Sequence, residues 1–351
     1  MKNCYPLALR LMLLCCASTL VFCSDNKKPK NEKTISDTSC HDEGYVFCYE
    51  DIANFRETFK ALQQGGDTLT AFQNYFDKAS PGMRGWISRY NWTPEKLAKR
   101  VALQPKYYAS LLNIDKELKG FEKDISEHYD NMKALYPSEF VTIPPTYYFI
   151  MWGGGGSIEL TGNMISIDYF GNKEGLDPKE FEQYGGLFPN GRFPIVGIDD
   201  VPQVAVHEVA HLFQTYLQGE LDYVSMYLDE SKTTMLAYAI REGGAEFIAY
   251  LGTGLKDPKK HKYGDLHEKE LWQLFKPLLK EHPDEHKGWF SGKSDERPEW
   301  PWQVGYYLGF KMIEHYYETT NDKEKALLDI LSAKDKDIYQ EIANGYDTKF
   351  K

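Results

Sequence analysis

From Ile52 to about Leu135 apolar side chains recur at helical intervals. Phe55, Phe59 and Leu62 fall at i, i+4 and i+7, and Leu69, Phe72, Tyr75 and Phe76 repeat the pattern, as do Leu111, Ile114 and Leu118. Such stripes predict helices that bury one face and carry no chemistry of their own. Thr93-Pro94-Glu95 reads as an N-cap followed by proline at the first helical position. The texture changes at Pro137. Residues 140–143 and 147–152 are β-branched and aromatic, and Gly153–Gly156 follow. Residues 157–160 and 164–167 then flank Thr161-Gly162-Asn163, which predicts a small antiparallel sheet with a hairpin turn. Residues 171–202 are rich in Gly, Pro and Asp and predict a long loop. Helical periodicity resumes over 202–218, 231–251, 266–281, 301–318 and 322–332. The fold class is α+β, predominantly α-helical. The expected organisation is an N-terminal helical portion at 44–136 and a catalytic portion at 137–351, with the sheet at 140–170, the informative helices at 202–251 and C-terminal helices at 266–343, all in one catalytic unit.

The N-terminus differs from all of this. Leu7–Phe22 is a short apolar run with Lys2 before it and Arg10 near its start, too short to span a membrane comfortably, and it reads as a signal peptide over residues 1–22. Leu20-Val21-Phe22-Cys23 resembles a bacterial lipobox, with Phe22 where a small residue is usual. The resemblance implies lipid on Cys23 and a chain held at the bacterial cell envelope, on its periplasmic or outer-surface face. Residues 24–39 are almost wholly polar, so 23–43 reads as a flexible tether. With the signal removed and Cys23 modified, Cys40 and Cys48 remain as an even pair, which in an oxidising compartment predicts a disulfide.

Hydrophobic residues make up 42% of the 351, enough for a packed core and too many for a disordered chain. The formal net charge of −11 argues against a nucleic-acid partner, which would require a basic face. The segment that carries chemistry is Val204-Ala205-Val206-His207-Glu208-Val209-Ala210-His211. In a helix His207 and His211 lie one above the other, able to share one Zn²⁺, with Glu208 near enough to act as a general base. The flanks leave little polar surface, and buried imidazoles need a partner. Some thirty residues on, Glu242-Gly243-Gly244-Ala245-Glu246 sits in a second apolar helix. Its two carboxylates share a face. Gly243 and Gly244 weaken the helix by about 1 kcal/mol each, which points to close approach of another helix around the metal.

These motifs together resemble the gluzincin metallopeptidases. The stretch from about 80 to 335 resembles bacterial predicted zinc-dependent proteases and the gliding-motility lipoproteins related to them. The shared features are a Gly-rich strand at Gly153–Gly156, HEVAH, EGGAE and Gly305-Tyr306-Tyr307-Leu308-Gly309. The resemblance implies a zincin-like catalytic core with its sheet beside the HExxH helix and one zinc per chain. It makes His207, His211 and Glu242 the ligands and Glu208 the base, with Glu246 orienting a ligand histidine or itself serving as the third ligand. It implies that Tyr306 or Tyr307 donates to the oxyanion. Gly154, Gly155 and Gly156 would offer backbone to an extended peptide, and Glu159 would receive a substrate amine. The implied partners are a peptide or protein substrate and a membrane. The competing expectation is a non-catalytic lipoprotein of the same fold with a structural or motility-related role. His261, His267, His282 and His286 sit in charged sequence and read as solvated.

Overall fold

The computed structural model describes residues 44–135, 142–171, 176–184, 197–219, 233–291, 294, 296–332 and 336–351. The expected signal peptide, the whole of the expected tether, Cys23 and Cys40 lie outside these residues. Cys48 is buried; its proposed partner Cys40 is among the residues not described.

Short capped helices open the chain: α1 (Glu50–Gln63), α2 (Thr68–Asp77), α3 (Pro81–Tyr90), α4 (Pro94–Leu103), α5 (Pro105–Ser110), α6 (Asp115–Gly120) and α7 (Glu122–Leu135). Asp67, Ser80 and Thr93 each accept a backbone N–H three residues on, and Pro81 and Pro94 follow two of them directly. The predicted stripe buries Phe55, Phe59, Phe72 and Tyr75, whereas Leu69 is exposed.

The strands are β1 (Phe47–Cys48), β2 (Thr146–Phe149), β3 (Gly156–Glu159) and β4 (Gly162–Ser166), in the order β1-β2-β4-β3. The β3–β4 hairpin is antiparallel as expected, but β1 and β4 both run parallel to β2. The sheet is therefore mixed, not antiparallel. After β2 the chain does not turn back beside it; it runs on through Ile150–Gly155 and returns with β4 against β2, which leaves β3 as the terminal strand. Every residue of β2 and β4 is buried, with α3 on one face and α8 (Val201–Gln218) on the other. Gly82 and Gly85 of α3 meet Tyr147 and Met164, while Asn163 donates to the Ala205 carbonyl of α8 at 2.9 Å.

The remaining helices are α9 (Met235–Thr253), α10 (Pro258–Phe275), α11 (Val304–Thr319), α12 (Lys323–Ser332) and α13 (Lys336–Thr348). α10 begins well before the expected 266, because Asp257 caps the backbone N–H groups of Lys259 and Lys260 and Pro258 starts the first turn. This polar turn is not solvated: Lys260 and His261 are buried, and His261 packs edge-on against Phe310 at 4.6 Å. The N-terminal helices join the same unit as the rest, spanning 42–351. β1 extends the sheet, and Asn131 of α7 donates to the Gly252 carbonyl of α9 at 2.9 Å. Among the described residues no helix is long and apolar enough to cross a membrane.

Candidate metal centre

α8 is apolar around nearly its whole circumference, with Val201, Ala205, Val206, Val209, Ala210, Leu212 and Phe213 all buried, so it runs through the interior. Gly219 ends it in the left-handed conformation, at φ 63°. Helical spacing stacks His207 over His211, and their Nε2 atoms lie 3.0 Å apart. Glu242 of α9 brings Oε2 to 3.5 Å from the first and 3.2 Å from the second. Around a tetrahedral Zn²⁺ with bonds of about 2.0–2.1 Å, neighbouring donors stand about 3.3 Å apart. The three atoms fit that triangle.

The second hydrogen-bond layer fixes which nitrogen faces it. Gln214 donates its amide to the Arg241 carbonyl at 2.9 Å, so its Oε1 is turned to His211 Nδ1, 2.8 Å away. His211 Nδ1 must then carry the hydrogen, leaving the Nε2 lone pair aimed at the triangle. Burial alone would disfavour the Glu242 carboxylate, but the two imidazoles outweigh it and hold its pKa well below the usual range. Burial likewise disfavours protonated His207, yet the Glu242 carboxylate prevails and raises its pKa. Two imidazole nitrogens and one carboxylate oxygen thus converge on a single point, the donor set of a cation site.

Glu208 is buried beside this triangle without belonging to it. Desolvation raises its pKa above that of an ordinary carboxylate, against the opposing pull of the two imidazoles. Its side chain lies against β3: a Cβ at Gly156 would stand 2.8 Å from both Cγ and Oε1 of Glu208. Gly156 is thus the clearance that lets the carboxylate sit between helix and terminal strand. Gly154, at φ 129°, makes the bend leading into β3.

The consecutive tyrosines part company. The Tyr306 ring stacks on that of His207, with centroids 6.3 Å apart and planes within 14°. Tyr307 points the other way, is fully buried and donates to Asp265 at 3.0 Å, so it does not reach the metal site. Glu246 does not orient a ligand histidine; its carboxylate is ion-paired with Lys260, and Gln214 occupies the role expected of it. Glu159 is held by Arg89 at 3.2 Å, so its charge is already matched. Of the two glycines, Gly243 makes the close approach, and it does so to a helix other than α8. A Cβ on Gly243 would lie 2.2 Å from the Gly309 backbone of α11, and one on Gly309 would lie 1.8 Å from the Ala239 carbonyl. α9 and α11 therefore touch backbone to backbone, and this crossing carries Tyr306 over His207.

Sequence reasoning missed Gln214 and Lys260. Gln214 had a signal, since it lies one turn after His211.

Residues 196–339, under half of the chain, match a family described as predicted Zn-dependent protease (DUF2268). The matched segment contains all three donors, Glu208 and Tyr306. No curated protein and no solved structure matches the chain.

Proposed function

We propose that the protein is an exported zinc-dependent peptidase of the HExxH…Glu kind, lipid-anchored through Cys23 at the bacterial cell envelope. The observation that carries this reading is the donor triangle of His207, His211 and Glu242 with a fourth group, Glu208, beside it and unused as a ligand. A structural zinc is closed by four protein ligands, whereas a catalytic one keeps a position open. One zinc per chain, bound by these donors, would supply a water acidified to a pKa of about 7 and a polarised carbonyl.

Glu208 takes the proton from the attacking water and returns it to the departing amine. Its place, buried beside the donor triangle and against β3, suits both halves of that task. Tyr306, stacked on a ligand ring, donates to the carbonyl oxygen as negative charge develops there. An extended peptide adding to the outer edge of β3 would pass Gly156 and hence Glu208, a β-augmentation mode that takes main-chain hydrogen bonds for affinity. Lipidation of Cys23 and a Cys40–Cys48 bridge belong to the same reading and rest on the sequence.

The test sets wild type beside Glu208→Gln, both loaded with zinc, against a library of unstructured peptides. Zinc content and melting temperature are expected to agree, while cleavage falls by roughly 10²–10⁴-fold. Equal activity in the two, or a zinc-loaded wild type that cleaves nothing, would sink the mechanism and favour the non-catalytic lipoprotein. Localisation is read separately, by membrane partition of the full chain against Cys23→Ser in a bacterial host. A mature terminus beyond Cys23 with no lipid would reject the anchor.

A further inference from the structure

α3 lies over the inner strands of the sheet, and its second half reaches β3. Gly85 and Arg89 meet the far end of that strand: Arg89 pairs with Glu159 at 3.2 Å, and a Cβ on Gly85 would stand 3.4 Å from the Glu159 carboxylate. Trp86 meets the chain that leads into the strand. Its indole N–H donates to the Trp152 carbonyl at 3.4 Å, and a Cβ on Gly153 would stand 3.0 Å from its ring. Tyr90, one turn on, packs against Trp86 with ring centroids 4.5 Å apart, and its hydroxyl contacts the Ser157 side chain midway along β3. Asn91 then ends the helix in the left-handed conformation, at φ 51°. Trp86 is fully buried, whereas Tyr90 keeps 39% of its surface exposed.

Among the described residues no strand pairs with the outer edge of β3. The Ser166 N–H donates to the Gly155 carbonyl at 3.1 Å, so alternation along an antiparallel ladder turns the main-chain groups of Ser157 and Glu159 inward to β4 and those of Gly156 and Ile158 outward. Gly156 faces α8 and Glu208, while Ser157 and Glu159 face α3. Side chains directly opposite one another on paired strands share a face. A peptide on this edge therefore directs the side chain opposite Gly156 toward Glu208, and the next one, opposite Ser157, toward Tyr90. That second side chain meets an aromatic ring beside a short serine, with the charges beyond it, Arg89 and Glu159, already matched to each other. We infer that Tyr90 is a specificity-determining residue of the peptidase proposed above, its ring forming the wall of a subsite for a bulky apolar or aromatic side chain next along the peptide from the residue that passes Glu208. The inference rests on that reading and deepens it by naming a class of substrate side chain. Tyr90 lies well outside the matched segment 196–339, so the subsite is a property of the sheet edge and α3 together.

The experiment compares zinc-loaded wild type, Tyr90→Phe and Tyr90→Ala on peptides cleaved at one bond, in which each flanking position is varied in turn through Ala, Leu, Phe, Lys and Asp. Wild type is expected to favour Leu and Phe over Ala, Lys and Asp at one position by about tenfold or more in kcat/KM. Tyr90→Phe keeps the ring and should keep that preference, whereas Tyr90→Ala should reduce it to within about threefold. Zinc content and melting temperature are followed in parallel. A second measurement needs no change at Tyr90: peptides carrying a benzophenone side chain at each position are bound to zinc-loaded Glu208→Gln, irradiated, and the cross-link is located by mass spectrometry. One position should attach to Tyr90. If Tyr90→Ala loses zinc or melts early, the cross-link alone decides. A wild type that cleaves without preference, a preference unchanged in Tyr90→Ala, or cross-links that avoid Tyr90 overturn the inference and leave the peptidase reading intact. A wild type that cleaves none of the peptides, together with no cross-link, defeats the peptidase reading and this inference together.

Discussion

Two glutamates one turn apart on α9 have opposite surroundings, and this decides what each does. Glu242 faces two imidazoles, whereas Glu246 faces the ammonium of a buried lysine. Glu242→Gln should abolish stoichiometric zinc binding. Glu246→Gln should retain zinc and lose stability instead, since it strands the charge of Lys260, a residue 3% exposed. Metal analysis and urea unfolding of both variants separate the roles; zinc retained in Glu242→Gln and lost in Glu246→Gln would reverse the assignment. Gln214 touches no metal donor atom, yet it selects the His211 tautomer by anchoring its own amide on Arg241. Gln214→Leu removes that anchor and should weaken zinc affinity by roughly 10–100-fold, read by competition with a chelator. The stacked histidines were legible because helical spacing alone aligns residues four apart, whereas the pairing of Glu246 with Lys260 was not. The choice between Tyr306 and Tyr307 was not legible either, since neighbours on a helix point about 100° apart and only the packing of that helix says which one faces the histidines.

That packing is set at the level of elements by the crossing of α9 and α11. Gly243 and Gly309 let two backbones meet where any side chain would collide, and Tyr306 sits one turn before Gly309. Gly309→Ala should therefore cost roughly 1–3 kcal/mol and displace α11, reducing turnover by more than the stability loss accounts for. Gly244→Ala is the control: its Cβ would meet Ile330 at 3.4 Å and the Gln214 amide at 3.5 Å, ordinary contact, and it gains helix propensity worth about 1 kcal/mol. Urea midpoints should move in opposite directions for the two variants; a shared direction would mean that the crossing is not the constraint. The doublet of glycines in the sequence announced a close approach but not its partner. The sheet was less legible still. β2 and β4 are buried on both faces, so they carry no alternation from which strand direction or neighbour order could be inferred, and the two-residue β1 is too short to register as a strand. The start of α10 escaped notice because Lys259, Lys260 and His261 look like surface, while the fold draws two of them inward.

At the scale of the whole molecule, a carboxylate far along the chain from the metal site couples folding to pH. Asp51, in the first turn of α1, is buried and accepts the Ser80 backbone N–H at 3.0 Å, joining α1 to the cap of the helix that lies on the sheet. Desolvation is the largest influence on it and outweighs its hydrogen bonds to Ser80, pushing its pKa up from 3.8 to about 7. The folded protein thus holds a proton that the unfolded chain has already released. Its stabilising contribution is complete below the unfolded pKa, declines as pH rises, and is gone once pH has passed through the folded value. Between about pH 4 and pH 7 this one site should lower the unfolding free energy by up to about 1.4 kcal/mol per pH unit. Asp51→Asn retains an oxygen to accept from Ser80 but binds no proton, so it should remove that slope while preserving the helix junction. The informative quantity is the difference in unfolding free energy between wild type and Asp51→Asn, measured by urea titration across this range, because it cancels every other titrating group. Wild type should lose ground to the variant as pH rises. A difference that stays flat would show that Asp51 titrates alike in the folded and unfolded chain, and that its burial imposes no charge penalty on the fold.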